Sequence, residues 1–236
     1  MLFRSHTSAR SVTDICVVSV MDLRRCGGVS VALGEVEVTS QVVSYLRRLP
    51  SGQVLDTVPL ELPASTLRTR AVWFTISEAV LAAAGLQPPA WPGALHAAEH
   101  AAIGLLPLVA TCDRWDIGGV STARHPDTGE PTVFVHDGHP GGAGFADRAH
   151  AALGPWLSAT RDAIASCECP AGCPSCVQSP KCGNANEPLD KTGAIIVLDA
   201  VLDALQEIPS QHARQCEPAA HLGTTHRASG RDTPCR

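Results

Sequence analysis

Half of the chain's ten cysteines lie in one short stretch, Cys167-Glu-Cys-Pro-Ala-Gly-Cys-Pro-Ser-Cys-Val-Gln-Ser-Pro-Lys-Cys182. Within it, Cys169, Cys173 and Cys176 follow the spacing Cys-x3-Cys-x2-Cys, and Cys182 comes after five more residues. Thiolates bind zinc tetrahedrally at about 2.3 Å, and a structural zinc site is normally closed by four protein ligands. The prolines and glycines of the stretch favour the tight turns that such a site requires. The stretch therefore predicts a bound metal ion, with five cysteines available for four places.

Cys167 and Cys169 are separated by a single residue, so one of the two is expected to be a spare. The alternative to a metal site is a disulfide cluster, which requires an oxidising compartment. The first residues, Met1-Leu-Phe-Arg-Ser-His, lack the charged and apolar regions of a secretion signal. The sequence also has no apolar run of roughly eighteen residues, the length that a membrane-spanning helix needs. We therefore expect a cytoplasmic protein with reduced thiols.

The overall charge of −5, from 18 Lys and Arg against 23 Asp and Glu, predicts no strong bulk attraction to nucleic acid. Two interpretations of a group of arginines stay open, namely a local basic patch and a solvated strand face. The group consists of Arg47, Arg48, Arg68 and Arg70. Aromatic residues make up only 4 % of the chain, which argues against a surface that stacks the bases of single strands.

Hydrophobic periodicity predicts an α+β fold, with a small, mostly β N-terminal module followed by a helical domain that holds a β-hairpin and a four-cysteine zinc knuckle. The Pro-rich segment 86–93 predicts the boundary between them. After it we expect a helix at 94–110 that Pro107 kinks or whose last turn it shifts, a hairpin of 120–123 with 132–136, and three further helices. The predicted divisions are a loose N-terminus (1–12), a linking module (13–85), a zinc-binding domain (94–207) and a disordered tail (208–236).

The segment His96-Ala-Ala-Glu99-His100 fits the H-x-x-E-H pattern of inverted zinc metalloproteases. Two imidazoles one helical turn apart lie on one face, and the glutamate is placed to act as general base. A catalytic zinc site needs a third ligand, for which Glu130 or Asp137 would have to be assumed. The alternative is that the three side chains form hydrogen bonds within a helical layer.

The segment Gly138-His-Pro-Gly-Gly-Ala-Gly144 precedes a predicted helix and has two interpretations. A helix N-terminus can bind phosphate, but the segment matches neither the P-loop nor the dinucleotide-binding pattern. A tight strand-to-helix turn is the better hypothesis. Asp116 and Asp137 lie at glycine-rich corners, where aspartate commonly caps turns, so both are interpreted as structural.

The cysteine stretch, together with Asn186-Glu-Pro-Leu-Asp-Lys191 after it, resembles the signature of the MrfA-type zinc-binding domain. That domain closes the chain of certain bacterial DEAD/DEAH-box, RecQ-like (Hrq-type) DNA helicases. The resemblance covers roughly residues 13–207. It implies one structural zinc ion per chain and four metal ligands, with Cys167 in reserve: Cys169, Cys173, Cys176 and Cys182. It also implies that the segment around His96, Glu99 and His100 is a core helix, and it implies no catalytic residue.

For function, the resemblance implies a non-catalytic zinc-binding accessory region of a superfamily-two DNA helicase involved in DNA repair, with DNA and a helicase motor domain as partners. The family's members are ATP-dependent helicases, but this sequence has no Walker A motif and no DEAD/DEAH box. We therefore expect a motor-less fragment or split-gene product that does not unwind DNA alone. Two alternatives stay open: a zinc-dependent hydrolase that uses His96, Glu99 and His100, and a protein-interaction remnant without DNA binding.

Overall fold

The computed structural model describes residues 6–51 and 53–206, so the predicted disordered tail lies outside the described residues. The strands are β1 (His6–Cys26), β2 (Val29–Arg48), β3 (Val54–Pro59), β4 (Ser65–Ile76), β5 (Ile117–Thr122) and β6 (Thr132–Asp137). The α-helices are α1 (Glu78–Ala83), α2 (Trp91–Leu105), α3 (Phe145–Ala151), α4 (Leu153–Ser166) and α5 (Lys191–Gln206). The predicted α+β class is confirmed.

The strands form one antiparallel sheet in the order β1-β2-β4-β6-β5, and β3 pairs with the far end of β2. β5 and β6 are the predicted hairpin. Because β4 pairs with β6, the sheet continues across the Pro-rich segment 86–93, and the two predicted modules share one core. The structure differs from the predicted divisions at the N-terminus as well, because β1 already begins at His6.

Strict alternation along β4 divides the apolar residues between the two faces of the sheet. Val72, Phe74 and Ile76 belong to the larger core, which the helices cover. Ala71 and Trp73 belong to a smaller cluster on the opposite face. The sheet is therefore buried on both sides, although only one side carries helices.

The sheet closes over the smaller cluster because its two ends meet. Register shifts in the β1–β2 pairing mark β-bulges, which increase local twist. In the loop between β5 and β6, the buried His125 Nε2 lies 2.9 Å from the carbonyl of Ile15. Asp127 in the same loop accepts the N–H of Val17 at 2.7 Å. These two contacts hold the first strand against the hairpin at the far end of the sheet.

Helix α2 lies at the centre of the helical layer, and small residues line it. Ala94, Ala97, Ala98, Ala101 and Ala102 are all fully buried, which lets α4 and α5 approach closely. The indole of Trp156 donates to the carbonyl of Ala102 at 2.9 Å. The helix ends at Leu105 and continues as a 3-10 turn, Leu106–Leu108, instead of reaching residue 110. Pro107 explains the shortening, since its ring cannot continue an α-helix.

Among the described helices, none has the length and apolar content needed to cross a membrane.

We predict that His125→Ala lowers the free energy of unfolding by about 1–3 kcal/mol, because it leaves a buried carbonyl without its donor. The matched control is His139→Ala, since the side chain of His139 is 51 % exposed. Urea unfolding measures both, and amide exchange should show faster exchange in β1 for His125→Ala alone. An equal effect of the two changes would contradict the role given to His125.

Candidate metal centres

Four sulfurs converge where helix α4 ends. Cys167 caps this helix with extended backbone (φ −76°, ψ 122°). In an extended segment, side chains two residues apart point to the same side, so Cys167 and Cys169 face one another. Cys173 follows at the start of a tight turn, in which its carbonyl accepts the N–H of Cys176 at 3.0 Å and of Val177 at 3.2 Å. The turn brings the remaining two sulfurs to the same place.

The distances between these sulfurs suit one tetrahedral ion. Cys167 Sγ lies 3.6 Å from Cys169 Sγ and 3.5 Å from Cys173 Sγ. Cys176 Sγ lies 3.5 Å from Cys169 Sγ and 3.8 Å from Cys173 Sγ. Zinc–sulfur bonds of about 2.3 Å at tetrahedral angles place sulfurs ~3.8 Å apart. Disulfide bonds are excluded within this cluster, because bonded sulfurs lie about 2.05 Å apart.

The turn depends on a glycine at position 172. Its φ is 112°, a conformation that other residues rarely adopt, and an added Cβ would lie 2.5 Å from Val177 Cγ2. Val177 is fully buried in the main core. The glycine therefore lets the cysteine turn pack directly onto the helical layer.

The four thiols are not electrostatically equivalent. A hydrogen bond from the backbone N–H of Ser175 lowers the pKa of Cys173 to about 7, whereas burial raises the pKa of Cys176 to about 12. Lys191, the first residue of α5, donates from Nζ to the carbonyls of Cys167 and Cys169 at 2.5 and 2.7 Å. This ammonium places a positive charge beside sulfurs that become thiolates when a metal binds.

The grouping of the cysteines differs from the set implied by the sequence resemblance. Cys169, Cys173 and Cys176 lie together as expected, but the fourth member is Cys167, and Cys182 lies elsewhere. The extended backbone at the end of α4 makes room for Cys167, which the sequence had suggested as a spare. Beyond the turn the chain is drawn toward β5, because Lys181 Nζ donates to the carbonyls of Arg114 and Ile117 at 3.0 and 2.6 Å. Burial there lowers the pKa of Lys181.

Cys182 instead joins His96 and His100 in a second cluster, where the three ligand atoms lie within 4.8 Å of one another. The Cys182 Sγ lies 3.4 Å from His96 Nε2, and the two imidazole centroids are 4.2 Å apart. Burial would raise the pKa of the Cys182 thiol. Contact with His100 and hydrogen bonds from the backbone N–H groups of Asn186 and Asn184 outweigh this effect of burial and lower that pKa. The structure therefore brings together the two histidines of the H-x-x-E-H segment and adds a cysteine that sequence reasoning had placed in the other site.

Glu99 lies between these histidines in sequence and is buried against β5. Its carboxylate accepts a hydrogen bond from Ser121 Oγ at 2.6 Å, yet burial raises the pKa of Glu99 to about 7. The carboxylate fits there because position 119 is glycine, where an added Cβ would lie 2.8 Å from Glu99 Cγ. His96, Glu99, His100 and Cys182 all line one cavity of about 620 Å³.

Asp137 has a structural role, and this role decides between the two interpretations of the glycine-rich segment 138–144. Its buried carboxylate accepts four backbone N–H groups at the start of α3, from residues 143–146, at 2.5 to 3.3 Å. A tight strand-to-helix turn is therefore what the segment forms, and its own aspartate occupies the anion-binding end of the helix. Asp116 accepts the N–H of Asp113 at 2.8 Å within a capping box, so it too has a local structural role.

The four arginines considered as a basic patch are mostly neutralised. Arg47 pairs with Asp56, Arg68 with Glu35 and Arg70 with Asp147. These contacts link neighbouring strands or tie the sheet to α3, so the arginines support the fold more than they offer free charge to phosphate groups.

Comparisons with known proteins agree with the zinc chemistry of the first cluster. The family model described as the MrfA Zn-binding domain matches residues 98–177, which include all four clustered cysteines. An uncharacterized protein of Methanocaldococcus jannaschii is 35 % identical over 111 residues, which are 46 % of this chain and 99 % of that protein. The uncharacterized ATP-dependent helicase YprA of Bacillus subtilis is 25 % identical over 173 residues, covering 73 % of this chain and 23 % of the helicase.

A solved structure shares the fold. The crystal structure of the DUF1998 helicase MrfA bound to DNA matches 84 % of this chain with a TM-score of 0.62 at 23 % identity. The match covers 26 % of the MrfA chain. This chain therefore spans about a quarter of the helicases to which it is similar.

We predict that Lys191→Met weakens metal retention by the first cluster, because it removes the ammonium that binds two of its carbonyls and lies beside its thiolates. Zinc release to a colorimetric chelator should become roughly 10–100-fold easier, the range seen when groups that support metal ligands are lost. Lys181→Met is the matched control, since that lysine also donates to two carbonyls but away from the four sulfurs. Equal release from both variants would contradict the prediction.

Proposed function

We propose, for a chain that belongs to the MrfA zinc-binding domain family, that Cys167, Cys169, Cys173 and Cys176 bind one zinc ion with a structural role. The observation that carries the proposal is the set of sulfur–sulfur distances of 3.5 to 3.8 Å around one centre. Four thiolates close the coordination sphere and leave no position for water or substrate. Zinc at this cluster therefore stabilises the fold and takes no part in a reaction.

The stabilising effect follows from where the cluster lies. The loop between α4 and α5 contributes few side chains to the core, among them Cys176 and Val177. Without a metal, the loop is held mainly by its own turns and by the hydrogen bonds of Lys191 to the carbonyls of Cys167 and Cys169. Metal binding to structural zinc sites supplies on the order of 10 kcal/mol, which is ample to order such a loop.

At the level of the whole protein, we propose a non-catalytic module that works with a superfamily-two helicase motor on DNA, in DNA repair. The support is that YprA is named an ATP-dependent helicase and that the matching part of MrfA belongs to a helicase solved with DNA. The described residues hold no nucleotide-binding loop, so the motor would be supplied by another segment or chain. In the archaeal relative, the matching stretch is nearly the whole protein, which supports a domain able to occur without the motor.

A protein-interaction module without DNA contact is the second candidate. The net charge of −5 and the ion pairs of three arginines in the strands favour it. Under this alternative, zinc still stabilises the fold, and only the partner differs.

We predict that Cys173→Ser removes one zinc ion per chain and lowers the melting temperature, because three sulfurs cannot close the tetrahedral site. Elemental analysis of the purified protein gives the stoichiometry, and circular dichroism gives the melting curve. Cys112→Ser is the matched control, since Cys112 is a free, half-buried cysteine outside both clusters. Unchanged zinc content and melting in Cys173→Ser would overturn the structural role.

We further predict that the chain binds DNA weakly and that binding decreases as salt increases, because contacts to phosphate release counterions. Fluorescence anisotropy of a labelled forked duplex, with protein up to about 100 µM and KCl between about 50 and 200 mM, covers the range of non-specific affinities. A protein stripped of metal is the control. No anisotropy change at the lowest salt would favour the interaction module over the DNA-bound one.

A further inference from the structure

A second metal-ligating cluster lies outside the four cysteines. It joins helix α2, through His96 and His100, to the loop before α5, through Cys182. The family match covers residues 98–177, so His96 and Cys182 fall outside it. We propose that His96, His100 and Cys182 form a second, independent site for one zinc-class ion, with its fourth coordination position open to the adjoining cavity.

The orientation of the two imidazoles is the first argument. His96 Nδ1 lies 2.8 Å from the carbonyl of Pro188, and His100 Nδ1 lies 2.9 Å from the carbonyl of Val177. A carbonyl can only accept, so both Nδ1 atoms carry the proton and both Nε2 atoms of the neutral rings have a free lone pair. A histidine that binds a metal is commonly held this way, with its second nitrogen donating to a carbonyl.

The spacing of the donor atoms is the second argument. Zinc–nitrogen bonds of about 2.0 Å and zinc–sulfur bonds of about 2.3 Å at tetrahedral angles place N and S ~3.5 Å apart. The observed distance between His96 Nε2 and Cys182 Sγ is 3.4 Å. The sulfur also accepts the backbone N–H of Asn186 at 3.3 Å, a contact suited to a thiolate ligand.

The local backbone presents Cys182 to the helix. Position 183 is glycine, and an added Cβ there would lie 2.4 Å from Ser11 Oγ of β1. The loop after Cys182 can therefore lie directly against the first strand. Asn186 bonds back to Ser179 through both its side-chain oxygen and its side-chain nitrogen, which closes the loop on itself. The sulfur is held by this closed loop on one side and by α2 on the other.

The fourth position faces the cavity. Among the described residues, only these three donors meet at this centre, and all three line the cavity of about 620 Å³. Glu99 lines the same cavity, and its carboxylate is held by Ser121. Residues of the strands that carry hydroxyl groups also line the cavity: Ser11, Thr13, Ser40 and Ser65. Three protein ligands beside a cavity are typical of zinc sites that take water or a small anion as fourth ligand.

Metal stoichiometry tests the site separately from the first cluster. We expect two zinc ions per chain in the wild type, and one in Cys182→Ser and in His96→Gln. Cys112→Ser and His139→Gln are the matched controls and should keep two. Two different ligand variants guard against a single variant that fails to fold, and circular dichroism checks the fold of each. Stoichiometry that is the same in the wild type and both ligand variants would overturn the second site.

Cobalt substitution tests which ion is lost and whether the fourth position is open. In Cys182→Ser, the charge-transfer bands of the four-thiolate cluster should remain, whereas in Cys173→Ser the bands of the mixed nitrogen–sulfur site should remain. Azide is the probe for the open position, because it replaces a bound water. Azide should shift the d–d bands of the wild type and leave those of Cys182→Ser unchanged. Wild-type bands that do not respond to azide would overturn the open position.

Discussion

Four sulfurs meet between the end of α4 and the start of α5, four of their pairs lie 3.5 to 3.8 Å apart, and their convergence constrains the path of the loop that joins these helices. As thiolates they repel each other, and the loop that carries them has few apolar side chains to bury. A metal ion would remove the repulsion and bond to all four side chains at once. Lys191 extends the effect to α5, because its ammonium bonds to carbonyls of the same loop. The proposed structural zinc ion would thus connect the end of one helix to the start of the next.

Helix α2 is where this loop is joined to the rest of the molecule. Its alanines let α4 and α5 pack closely, and its polar side chains face the loop and β5. His100 bonds to the carbonyl of Val177, the residue that directly follows the four-cysteine turn. The two candidate metal centres are therefore neighbours along the chain and share a supporting helix, yet they differ in chemistry. One is closed by four sulfurs, and the other combines two imidazoles and one sulfur beside a cavity.

Much of the architecture follows from local patterns. Alternating apolar residues predicted the strands, and Pro107 predicted a changed last turn of α2, because each effect acts within a few residues. The division into two modules was not supported, since the pairing of β4 with β6 depends on residues about sixty positions apart. A Pro-rich segment indicates a turn in the chain, but it does not show whether the strands on either side join one sheet.

The cysteine spacing alone determined that this protein has a site for a metal, because two- and three-residue gaps bring sulfurs together whatever the rest of the fold does. The spacing of His96 and His100 likewise placed two imidazoles on one helical face. Only the tertiary structure decided which sulfur joins which centre. Cys167 takes the place in the four-cysteine cluster that the sequence had assigned to Cys182. The extended backbone after α4 brings Cys167 in, and Lys181 holds the loop before Cys182 against β5. Cys182 and His96 are 86 residues apart, and such a distance is closed only by the packing of the whole domain.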